Sequence, residues 1–80
     1  MKHVTVRHYT FLSACRGIRS EPVETNAATV KELLADIRAR NLLRLTATVS
    51  KAAVNDVFVD FDAPLADGDT VTFIPPFAGG

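Results

Sequence analysis

The stretch Ile74-Pro75-Pro76-Phe77-Ala78-Gly79-Gly80 closes the sequence, and its residue types suit the delivery of a main-chain carboxyl group into another protein. Ile74, placed before a proline, is pushed out of the α region, and Pro75-Pro76 keeps the exit extended. Gly79 and Gly80 have no Cβ and can pass through a channel too narrow for any side chain. From Pro75 to Gly80 the chain reaches roughly 20 Å when extended. Read as the chain's end, Gly80 offers an α-carboxylate that is ionised at neutral pH. Its charge repels a sulfur or amine nucleophile, and oxide is a poor leaving group. Adenylation removes both obstacles, after which the acyl group can become a thiocarboxylate or an amide. The sequence holds no Gly-rich phosphate loop with its lysine, so the ATP for that step would be used by a partner.

Other chemistry-bearing residues read as structural. Cys15 is the only cysteine, which excludes an internal disulfide and a cysteine zinc cluster. Beside Arg16, it is expected to be a small buried hydrophobe rather than a nucleophile. His3 and His8 would face opposite sides of a regular strand and cannot share a metal. Asp60, Asp62, Asp67 and Asp69 fail the EF-hand spacing and read as turn formers and strand ends. No metal site is expected. Tyr9, Phe11 and Phe77 are candidates for a partner surface, Phe77 because a terminal aromatic has little of its own domain to pack on.

The elements that must position the tail follow from periodicity. Val4 to Phe11 reads as a central strand with Val4 and Val6 on one face and Thr5, Arg7, Tyr9 and Phe11 on the other. Ser13 to Glu21 reads as a turn or short helical excursion, and Pro22 begins a brief second strand in which Val23 and Thr25 share a face. Thr29 and Glu32 form a capping box for a helix from about Val30 to Arg40, whose Val30, Leu33, Leu34 and Ile37 make one apolar stripe. Asp36 and Arg40 pair at i, i+4, and Asn41 can stop the helix. Leu42 to Ser50 fits either a strand or a packed loop. Ala52 to Val54 and Val57 to Phe61 read as strands about an Asn55-Asp56 turn. Thr70 to Ile74 is the last strand, with Val71 and Phe73 on one face, and Pro75 ends it for want of an amide hydrogen. One helix over one mixed sheet buries the stripe most simply.

Composition sets the class. Hydrophobic residues are 48% and charged ones 22%, as in a folded globular domain near the size where one core just suffices. Nine basic and nine acidic residues cancel, which argues against nucleic-acid binding. The balance is uneven, however. Residues 1–40 carry seven Lys/Arg against four Asp/Glu, a net +3, and residues 41–80 carry two against five, a net −3. The tail-bearing half would therefore suit a basic partner surface. With neither a signal segment nor a membrane span to be read, a cytoplasmic setting is expected.

The segment "KAAVNDVFVDFDAPLADGDTVTFIPPFAGG", Lys51 to Gly80, resembles the C-terminal part of the small subunits of molybdopterin synthases, and "DGDTVTFIPPFAGG" is its most specific piece. "TVKELLADI" and the opening strand sit where that family has them. The resemblance implies an α+β, β-grasp (ubiquitin-like) fold of four to five strands and one main helix over residues 1–80, with 75–80 as a functional tail. It further implies that Gly80 is adenylated by a ubiquitin-activating-enzyme-like adenylyltransferase using ATP, then thiocarboxylated. No cofactor would be bound permanently. The tail, with Gly79, Ala78, Phe77, Pro76 and Pro75, would enter the large synthase subunit of a heterotetramer and pass its sulfur on for dithiolene formation in molybdenum cofactor assembly. The sulfur carrier of thiamine thiazole synthesis also ends in Gly-Gly but usually lacks the Pro-Pro. A ubiquitin-like protein modifier and a pure interaction module are the remaining alternatives.

Overall fold

The structure is a computed structural model that describes residues 1–12, 15–40 and 49–74, and the side chains of these outside 9–19. Its elements are β1 (Lys2–Leu12), β2 (Cys15–Thr25), α1 (Val30–Arg40), β3 (Lys51–Val54), β4 (Val57–Val59) and β5 (Thr70–Ile74). The strands form one sheet in the order β2-β1-β5-β3-β4. β1 and β5 run parallel in its interior, and the other neighbours are antiparallel. This is the β-grasp arrangement.

Alternation gives the sheet one apolar face. Val4, Val6, Val23, Ala52, Val71 and Phe73 are buried there with the helix residues Val30, Leu33, Leu34 and Ile37, as one cluster that Ala27 and Leu65 complete. The helix has the expected bounds, and its cap differs by one residue. The Glu32 amide donates to Thr29 Oγ1 at 3.2 Å, as a capping box requires, but Glu32 Oε1 accepts from the Ala28 amide at 3.3 Å rather than from that of Thr29. The residues flanking Thr29 are tied elsewhere as well: the Val30 amide donates to Ala63 O at 3.1 Å, and the Leu65 amide to Ala28 O at 2.9 Å. The 61–65 segment thus lies on the helix N-terminus and satisfies orphan groups there.

Two strands differ from the expectation. β2 begins at Cys15 rather than Pro22, so most of Ser13 to Glu21 is strand, not a turn or helical excursion. It is an edge strand whose order comes from pairing with β1 along eleven residues rather than from its own alternation. Pro22 is tolerated within it for a geometric reason. Its partner Thr5 turns its amide to the β5 side, donating to Asp69 O at 2.9 Å, so the pair is not hydrogen-bonded and the ring nitrogen of Pro22 faces the open edge. β4 stops at Val59 instead of Phe61, because the Phe61 carbonyl accepts from the Lys31 amide at 2.7 Å and joins the helix start. The β3–β4 turn matches its expected form: Asn55 and Asp56 have φ of 51° and 70°, the double left-handed conformation of a two-residue hairpin. Asn41 and residues 42–48 lie outside the described residues; Val49 packs half-buried against the core.

Candidate functional site

β5 is the strand that leads into residues 75–80. Val71 and Phe73 are 0% and 1% exposed and fix the strand under the helix. On one side β5 pairs with β3 up to Lys51–Ile74, and the Ser50 amide donates to Ile74 O at 2.8 Å. On the other side its ladder with β1 ends at His8–Phe73. The next bond in that parallel ladder would need an amide hydrogen from residue 75, which is proline. β3 therefore holds β5 to its last residue, Ile74, and β1 holds it to Phe73, and a proline at position 75 has no amide hydrogen to offer the β1 side.

The expected tail residues Pro75, Pro76, Phe77, Ala78, Gly79 and Gly80 lie outside the described residues, as does the side chain of Cys15. Phe11 lies in β1 with its backbone opposite Arg16; its side chain, like that of Tyr9, also lies outside them.

The sheet face away from the helix carries a feature that the strand pattern alone does not announce. Phe58, Ala53, Thr72 and Arg7 occupy directly opposed positions on β4, β3, β5 and β1 and so form one row across the sheet. Ala53 and Thr72 are buried although α1 packs on the other face, whereas Phe58 is 67% exposed. Lys51 Nζ lies 5.6 Å from the Phe58 ring centroid, a cation–π distance. At the other end of the row, Arg7 Nη1 pairs with Asp56 Oδ1 at 3.4 Å. The row is buried at its middle, with an exposed aromatic at one end and an ion pair at the other, and its Thr72 lies two residues before Ile74. The signal that could have found it is the all-apolar run Val57-Phe58-Val59: alternation must turn one of these residues away from the core.

The remaining candidates resolve into structure. His3 is exposed and His8 buried, on opposite faces as expected. His8 Nε2 has no hydrogen-bond partner among the described residues. Asp67 and Asp69 hold a turn. Asp67 Oδ1 accepts from the His3 amide at 2.6 Å, while Asp69 Oδ2 accepts from the Ala66 amide at 2.8 Å and Oδ1 from Asn55 Nδ2 at 3.1 Å. Gly68, at φ 87°, supplies the left-handed residue this turn needs. At the opposite end of the sheet from the tail base, Met1, Glu24, Thr25, Asp36 and Arg40 line a groove of about 430 Å³. Its chief carboxylate is already engaged: Asp36 accepts from Thr25 Oγ1 at 2.7 Å and from Arg40 Nε and Nη2 at 3.0 and 2.7 Å. The Thr25 hydroxyl first, and Arg40 second, hold its carboxyl below the usual carboxylate range. No helix among the described residues is long and apolar enough to cross a membrane.

A five-stranded sheet of this order with one helix on one face defines a ubiquitin-like domain. Residues 6–80 match the ThiS family, and the chain belongs to that family. Its fold resembles that of the putative molybdopterin converting factor subunit 1 from Pyrococcus furiosus, with a TM-score of 0.70 and 26% identity over 95% of this chain and 99% of that one. It also resembles a chain in the complex of subunits 1 and 2 of the molybdopterin-converting factor from Helicobacter pylori 26695, with a TM-score of 0.64 and 29% identity over 98% and 99%. A stretch of 29 residues is 62% identical to the molybdopterin synthase sulfur carrier subunit of Escherichia coli K12. It spans 36% of this chain and 36% of that protein.

Proposed function

We propose that the chain is the sulfur-carrier subunit of a molybdopterin synthase and that its reactive group is the carboxyl of Gly80. What carries the reading is the end of β5: the strand is held by β3 as far as Ile74 and by β1 as far as Phe73, and the two residues that follow have no amide hydrogen with which to continue either ladder. Membership of the ThiS family and likeness to molybdopterin converting factor subunits support it. The carboxylate of Gly80 attacks the α-phosphorus of ATP in an adenylating partner and releases pyrophosphate. A sulfide-level nucleophile then adds to the acyl carbon and expels AMP, leaving a thiocarboxylate. In the large synthase subunit the thiocarboxylate sulfur attacks a carbon of the pterin precursor and displaces an oxygen leaving group to give a thioester; water then adds to the acyl carbon, the acyl–sulfur bond breaks, and the sulfur stays on the precursor as a thiol while Gly80 returns to its carboxylate. Every active group except the acyl carbon belongs to a partner, and the Phe58 row is the surface on which the large subunit seats.

Intact-mass spectrometry tests the chemistry. The natural protein should end at Gly80, and incubation with ATP, the adenylating partner and a sulfur donor should add the mass difference between sulfur and oxygen. An unchanged mass with a competent partner, or a chain continuing past Gly80, overturns the proposal. Deleting Gly80 should abolish the mass gain. The alternative acceptor is the thiazole precursor of thiamine. Sulfur delivered to a thiazole-forming enzyme and not to the large synthase subunit would select it, whereas Pro75-Pro76 favours the synthase.

A further inference from the structure

β1 is supported unequally along its two sides. Its register with β2 runs from Lys2–Thr25 to Leu12–Cys15, the whole strand, but its register with β5 runs only from Thr5–Thr70 to His8–Phe73. At the near end the uncovered stretch is closed, because the His3 amide donates to Asp67 Oδ1 and the His3 carbonyl accepts from the Gly68 amide at 2.7 Å. At the far end, Tyr9 to Leu12 has no ladder partner on the β5 side among the described residues.

Strand geometry identifies the groups concerned. Thr5 turns its amide toward β5, so alternate residues Arg7, Tyr9 and Phe11 turn their amides and carbonyls the same way. The register directs the Tyr9 amide to Phe73. The Tyr9 carbonyl comes next, and its donor would be residue 75, a proline, so the chain's own continuation cannot supply it. Phe11 follows: a continued ladder would set its amide against the carbonyl of residue 75, and no described residue pairs with either of its groups on this side. The sheet's outer edges are blocked in familiar ways: β2 carries Pro22, and β4 is three residues long between Asp56 and Asp60. Among the described residues the half-edge of β1 has neither safeguard, and it lies beside the end of β5 at Ile74.

We propose that Tyr9–Leu12 is a strand-addition site for an extended segment of the large synthase subunit, which donates to the Tyr9 carbonyl and accepts from the Phe11 amide. This rests on the sulfur-carrier reading above. Main-chain pairing of this kind fixes register. A fixed register beside Ile74 aims the partner's channel at a tail with a reach of roughly 20 Å and lowers the cost of threading it.

Amide exchange of the ¹⁵N-labelled full chain, alone and with the purified large subunit from the same source, tests this. The Phe11 amide should exchange at least about tenfold more slowly in the complex, while those of Thr10 and Leu12, which face β2, change little. Unaltered Phe11 exchange in a complex that protects the amides of Phe77 to Gly80 overturns the strand-addition site and leaves the sulfur-carrier reading standing. So does a Phe11 amide already protected in the free chain. Protection at neither place overturns both.

Discussion

Thr25 has both roles of its hydroxyl filled while almost wholly buried: it accepts from the Ala27 amide at 3.1 Å and donates to Asp36 Oδ2 at 2.7 Å. Arg40 completes the knot by reaching from the last turn of the helix to Asp36 and to the Glu24 carbonyl at 2.7 Å. The helix end is therefore tied to the end of β2 through one threonine. Thr25→Val keeps the shape and removes both bonds, leaving the Ala27 amide without its acceptor; the expected loss is about 1–2 kcal/mol at pH 7. Part of that loss depends on pH. A carboxyl held below its unfolded value contributes stability that is full above that value, about 3.9, and is lost as pH falls through the folded one. The hydroxyl is the larger cause of the lowering, so the variant's Asp36 titrates nearer the ordinary range and the difference from wild type narrows below about pH 4. It narrows only slightly, since Asp36 is a third exposed and solvent screens the ionic share. Urea unfolding at pH 7 and pH 3 checks both signs; a cost that grows on acidification contradicts the assignment.

Elements that state their own period are legible in the amino-acid sequence. The helix bounds, the Asn55-Asp56 turn and the Thr70–Ile74 strand match their expected places, because a 3.6-residue stripe, two residues tolerant of positive φ and a terminating proline are local signals. β2 is not legible over Cys15 to Glu21, since an edge strand paired along its whole length borrows its order from a neighbour and needs no alternation. The row through Phe58 is hidden likewise. Burial of Ala53 and Thr72 depends on which residues fall opposite them, which register fixes and composition does not. Asn55 shows how much one turn residue holds. At φ 51° its Oδ1 accepts from the Thr70 amide and its Nδ2 donates to Asp69, each at 3.1 Å, which binds the β3–β4 hairpin to the turn before β5. Asn55→Gly keeps the backbone conformation and loses those two bonds, at an expected cost of about 1 kcal/mol. Asn55→Ala adds the left-handed penalty, bringing the loss to about 2 kcal/mol or more. Equal midpoints for the two variants in chemical denaturation would contradict the division.

The whole molecule assigns different tasks to the two faces of one sheet. The face under the helix holds the domain together, and the opposite face is the one that the proposed function gives to a partner. An 80-residue chain has about 4–12 kcal/mol of stability in all. Leu33 is fully buried, so Leu33→Ala, at about 2–5 kcal/mol, takes a large share of it and lowers the apparent affinity for any partner only by unfolding the chain. Phe58 is two-thirds exposed, so Phe58→Ala leaves stability within about 0.5 kcal/mol while weakening association with the large synthase subunit about tenfold or more, as truncation of a buried aromatic anchor does. Thermal melts and titration calorimetry on the same two variants separate the tasks. The expected pattern is crossed, with a lowered melting temperature and near-normal binding of the folded fraction for Leu33→Ala, and the reverse for Phe58→Ala. If Phe58→Ala melts early, that aromatic belongs to the core. If it binds normally, the partner is held by the tail and the β1 edge without the row beside them.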